Sequence, residues 1–137
     1  MVGQFDGLNG PYSAFVLFFA GQSRGLHSMN PRVFLSYRRD DSAAYAGRIE
    51  DRLRRALGRN LLFMDVDNIP LGVNFAEVLD EEIAKCDVLL AVIGRKWLST
   101  QDDEGKRRLD KPDDFVRVEI ATALRRNIRV IPISTRL

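Results

Sequence analysis

The sequence predicts an α/β fold, an open parallel sheet with helices on both faces. Short apolar runs rich in β-formers alternate with longer stretches of helical period, in the order strand, helix, strand, helix, strand, helix, strand. DVLLAVIG is apolar without a break, as a strand covered on both faces should be. Capping residues and glycines stand between the runs, with Gly58, Asn74 and Asp114 among them.

The first strand is VFLSY (Val33–Tyr37). RRDDS ends it and offers Asp41 or Ser42 as the cap of a helix that runs to about Leu57. That helix carries Ala46, Ile49, Leu53 and Ala56 or Leu57 on one face and arginines on the other, and Gly58 closes it. LLFMDV, 61–66, is the second strand, and DNIPLGVN is a loop punctuated by Pro70 and Gly72. Asn74 followed by Glu77 has the spacing of a capping box for the next helix, which turns Val78, Leu79 and Ile83 inward. DVLLAVIG follows as the third strand, RKWLS as one turn of helix, and TQDDEGKRRLDKPDD as a charged surface loop. FVRVEIATALRRN is the third long helix, capped by Asp113 or Asp114, with Val116, Ile120, Ala123 and Leu124 on its apolar face. IRVIPI, 128–133, is the fourth strand.

A chain of 137 residues with 45% hydrophobic and 29% charged content fits one domain. Its 21 basic and 19 acidic residues alternate and leave a net charge of +2, without the basic tract that nucleic-acid binding calls for. The single cysteine, Cys86, excludes an intrachain disulfide, and with the single histidine, His27, it cannot build a His/Cys zinc site. No metal and no bound cofactor are expected. The apolar run AFVLFFA is far short of the ~20 residues that span a bilayer. It also lacks a preceding Lys or Arg and a small-residue cleavage site, so neither a membrane anchor nor a secretory signal is expected, and the chain reads as cytoplasmic. Residues 1–31 differ in character from the rest, and MNPRVFLSY places Met29 as an alternative start. They are set aside as an N-terminal extension, and the domain is assigned to 32–137.

The topology says where a site belongs. In open parallel sheets ligands bind beyond the carboxyl ends of the strands. Those ends carry Tyr37, Arg38 and Arg39 after the first strand, Asp65 after the second, and Gly94, Arg95 and Trp97 after the third. The helix holding Phe115 and Glu119 leaves the same edge and runs back along the sheet, so both residues face that crevice. Glu119 lies on the flank of its helix, where a boundary glutamate covering core with its stem is the plain alternative to a functional carboxylate. Asp65 and Asp67 end a strand and begin a turn, a common placement without metal or phosphoryl chemistry. Ser36 has no histidine to partner it in a hydrolase triad, and Cys86 reads as a small buried residue at a helix end.

Over about 32–133 the chain resembles a TIR domain (Toll/interleukin-1 receptor), and in particular the bacterial-type TIR domains that cleave NAD. The resemblance rests on VFLSYRRDD, on FMDVDNIPLGVNF and on FVRVEIATAL before VIPI, in that order. It implies a flavodoxin-like sheet with a fifth strand and a final helix that this sequence lacks, which leaves the fourth strand as an edge and suggests a C-terminally incomplete domain. It also implies cleavage of the bond between nicotinamide and ribose, with NAD+ as substrate and Glu119 as the catalytic carboxylate. Phe115 stands where Trp is common in the family, keeping a ring but losing the indole N–H. Tyr37, Arg38, Arg39 and Trp97 complete the expected substrate-binding set, the arginines toward the pyrophosphate. Asn68, Ile69, Pro70, Leu71 and Gly72 form the loop expected to join one TIR domain to another.

A single carboxylate is sufficient for such a reaction. The nicotinamide nitrogen already carries positive charge and leaves neutral, so no general acid is needed. An ionised glutamate then stabilises the oxocarbenium-like ribose and accepts hydrogen bonds from its hydroxyls. The competing expectation is a non-catalytic TIR adaptor that assembles signalling partners. A phosphoacceptor receiver is disfavoured by the third strand ending in VIG, and a dinucleotide-binding dehydrogenase by the absence of GxGxxG.

Overall fold

The computed structural model describes residues 31–62 and 71–135. Four parallel strands appear among them: β1 (Val33–Tyr37), β2 (Leu61–Leu62), β3 (Val88–Ile93) and β4 (Arg129–Ser134), in the spatial order β2-β1-β3-β4. Register follows from Val33 facing both Leu61 and Val88, with Val88 facing Arg129 in turn. The helices are α1 (Arg39–Leu57), α2 (Phe75–Ala84) and α3 (Phe115–Arg125). Residues 63–66 of the expected second strand lie outside the described residues.

Period-two alternation divides the core between the two faces of the sheet. Val33, Leu35, Val88, Leu90 and Val92 pack with Ala46 and Ile49 of α1. Phe34, Leu89 and Ala91 pack with Leu79 and Ile83 of α2 and Ala123 of α3. Each fully buried large side chain contributes about 1.5–3 kcal/mol relative to exposure. β3, buried at every position but its last, is the centre of both layers. β4 closes the described sheet as an edge, which is where a strand proline such as Pro132 is tolerated.

The start of α1 differs from the expected cap at Asp41 or Ser42. Arg38 is the cap residue, and its carbonyl accepts from the Asp41 N–H at 3.1 Å and the Ser42 N–H at 2.9 Å. A single turn therefore precedes the main helix, and Ser42, with φ −132° and ψ 17°, marks a kink between the two. The far end ends as expected at Gly58, whose φ of 54° suits a residue without Cβ. Asn74 caps α2 by accepting from the Ala76 N–H at 3.2 Å, one residue short of the capping-box position.

The segment 100–114 is more ordered than a plain charged loop. Asp102 accepts from the backbone N–H groups of Glu104 and Lys106 and from Lys111 Nζ, and Gln101 bridges to Arg107. The Lys111 bond comes first among the causes that hold the Asp102 carboxyl at about 2. No helix among the described residues is long and apolar enough to cross a membrane.

Candidate functional site

The site begins with Ser36, the one aliphatic hydroxyl in the run of β1. Alternation turns Phe34 and Ser36 to the side of α2 and α3, and a buried hydroxyl there requires a partner. It donates to Glu119 Oε2 on α3. Glu119 is only 7% exposed, so the boundary reading of this residue gives way to a carboxyl sealed against the sheet. Burial pushes its pKa up to about 8; the Asp114 carboxylate pushes the same way, while the Ser36 bond and the Arg38 charge oppose it. In this closed arrangement burial favours the protonated Glu119 carboxyl.

Asp114 caps α3 by accepting from the Arg117 N–H at 3.2 Å. Its two carboxylate oxygens also receive Arg38 Nη1 at 2.9 Å and Nη2 at 3.0 Å, a bidentate pair in which both side chains are buried. Arg108 Nε approaches Asp114 at 3.4 Å, and Arg108 Nη1 reaches Asp40 at 3.2 Å. Arg38 and Asp40 of the RRDD turn thus pair with the start of α3 and with the 100–114 segment.

The expected substrate-binding residues divide. Arg38, expected toward a pyrophosphate, points inward and is committed to Asp114. Tyr37, one residue on from Ser36, turns to the opposite face and packs against the α1 cluster, because successive strand side chains alternate. Arg39 opens α1 on the exposed side, and Trp97 is half-buried in the turn after β3. Phe115, first residue of α3, places its ring 4.6 Å from that of Phe75 at 44°, so the aromatic one turn before Glu119 leans on the start of α2. Of the expected association loop, Asn68, Ile69 and Pro70 lie outside the described residues, while Leu71 and Gly72 are exposed.

Gly94 keeps the carboxyl edge closed. A Cβ at that position would lie 2.2 Å from Asp41 Oδ2 and 2.5 Å from Asp41 Cγ, so the carboxylate rests on the glycine backbone. Asp41 Oδ1 also accepts from the Lys96 N–H at 2.8 Å, which ties the turn after β1 to the turn after β3. Sequence reasoning missed Asp114 and Phe75 as partners. The Ser36 pairing had a signal, a hydroxyl at an inward strand position.

Comparison with known proteins agrees with this architecture. No curated protein matches the chain. Among solved structures it is similar to a metazoan TIR-STING receptor from C. gigas, with 21% identity and a TM-score of 0.53 over 77% of this chain. The chain spans 31% of the length of that receptor, and the likeness bears on the fold. The family model for the TIR domain matches residues 33–136, and the chain belongs to the TIR domain family.

Proposed function

We propose that this TIR domain cleaves the nicotinamide–ribose bond of NAD+ when copies assemble, with Glu119 as the catalytic carboxylate. The observation that supports the reading is the Glu119 carboxyl itself, buried beside the strand ends, bonded by Ser36 and following an aromatic by one turn. A solvated surface glutamate would not be built this way. The cationic nicotinamide ring, arriving beside Glu119, favours its ionised form, and the carboxyl proton passes to water. The C1′–N bond then breaks with its electron pair going to nicotinamide, which leaves neutral. Water adds to the ribose cation and releases a proton, giving ADP-ribose; attack by the adenine instead gives a cyclic isomer.

In this reading Phe115 and Trp97 fence the substrate, and Arg39, exposed at the start of α1, meets the pyrophosphate. Arg38 supports the site from within. The exposed Leu71 and Val73, ahead of α2, favour a second role for the same surface in docking to another TIR domain, as an adaptor would use it. The two roles are compatible in a cytoplasmic signalling protein whose turnover depends on assembly.

The test is nicotinamide release from NAD+ at high protein concentration, on a support that clusters the chain, for the native protein beside a folded Glu119→Gln. Release that disappears in the variant and on dilution supports the proposal. An assembled native protein that leaves NAD+ intact rejects it in favour of the adaptor.

A further inference from the structure

The structure points to a positioning device behind Glu119. We propose that the buried Arg38–Asp114 ion pair fixes where α3 begins relative to the end of β1, and so where the Glu119 carboxyl meets Ser36, with its charge balance tuning that carboxyl. The inference rests on the reading of Glu119 as the functional carboxylate.

The pair is expensive as a source of stability. Two buried charges forfeit hydration that their attraction barely returns, and apolar replacements of such pairs are often as stable. Arg38 Nε has no hydrogen-bond partner among the described residues, which adds a further cost. What the pair supplies is geometry. Arg38 follows Ser36 by two residues, and its carbonyl starts α1; Asp114 is the cap of α3, five residues before Glu119. A bidentate bond between them permits one placement of the α3 terminus on the sheet. That placement sets Glu119 opposite Ser36.

The pair also surrounds Glu119 electrically. Asp114 acts on it from its own helix and Arg38 from the end of β1, with the Ser36 hydroxyl from β1 itself. The neighbours on β3 and α2 that share this core, Leu89, Ala91, Leu79 and Ile83, carry no charge. Removing one member of the pair leaves the charge of the other unbalanced beside Glu119, with Arg108 still against Asp114 when Arg38 is the one removed.

The experiment follows the Glu119 side-chain carboxyl by carbon-13 NMR in the labelled full chain, its signal assigned by its loss in Glu119→Gln. Asp114→Asn retains a capping side chain while deleting the negative charge, and the Glu119 titration should move down toward the ordinary carboxylate range. Arg38→Met should move it up. Arg38→Met with Asp114→Asn removes both charges without stranding either, so it provides a folded comparator if Arg38→Met alone unfolds, and its midpoint should lie above that of Asp114→Asn. Midpoints in that order support the proposal, and nicotinamide release should rise with pH in the same order. Midpoints that coincide across the folded variants overturn it. Shifted midpoints without nicotinamide release from any variant reject the hydrolase reading and still support the pair as an influence on the Glu119 carboxyl.

Discussion

Ser36 and Glu119, 83 positions apart, meet through one hydrogen bond across the interface of β1 and α3. The contact joins the central region of the sheet to the helix that carries the only buried glutamate among the described residues. Strand alternation supplies the hydroxyl, helix placement supplies the carboxyl, and burial gives the pair its chemical character.

That character has a pH signature. The Glu119 pKa is raised from 4.5 to about 8, so the unfolded chain ionises first as pH rises between these values. The unfolded state then binds fewer protons, and folding stability should fall with rising pH across this window. Glu119→Gln should flatten that fall and leave the variant more stable than the native chain at pH 9 by an amount on the order of a few kcal/mol. Urea unfolding at several pH values measures it; parallel curves for the two proteins would contradict it.

Ser36→Ala removes the bond that draws the Glu119 pKa down, so the carboxyl should titrate above about 8. It also leaves a buried carboxyl short of a partner, at a cost of about 1–3 kcal/mol. Carbon-13 titration and denaturant midpoints report the two effects separately. An unshifted titration in a folded Ser36→Ala would show that the hydroxyl does not govern the carboxyl.

Gly94→Ala should displace the Asp41 carboxylate and break its bond to the Lys96 N–H, destabilising the chain by about 1–3 kcal/mol. In an Asp41→Ala background the same substitution should cost much less, since the atoms it meets are gone. Equal costs in the two backgrounds would place the penalty elsewhere.

Phe75 and Phe115 should show coupling in a double-mutant cycle to leucine. The ring pair is worth about 0.5–1.5 kcal/mol beyond its buried area, so the double variant should lose less than the two single losses combined. Strict additivity in urea would mean that the rings contribute only as separate apolar groups.

The sheet was legible because its strands are short apolar runs between clear punctuation, and Val88–Ile93 is apolar throughout. Inward residues of the helices were legible from their period at Ala46, Ile49, Leu79, Ile83 and Ala123, whereas Leu124, expected on the apolar face of α3, is 60% exposed. The start of α1 was not, because RRDDS offers several short polar side chains and the backbone turn on the Arg38 carbonyl outcompetes a side-chain cap. Glu119 and Phe115 were found at their stations on α3. The partners of Arg38 and Phe115 were not found, since pairings across 76 and 40 positions leave no mark in local periodicity. Tyr37 and Ser36 stand on opposite faces of the sheet because one step along a strand changes the face.

Helices α2 and α3 are joined at two places. Phe75 meets Phe115 at their first residues, and Asp80 accepts from both Arg125 and Arg126 near the end of α3. Two separated attachments stop one helix from swivelling on the other, so the pair behaves as a single stiff beam. Leu71 and Val73 stand just ahead of α2, so this beam begins beside an exposed apolar stretch and runs beside the buried carboxyl of Glu119.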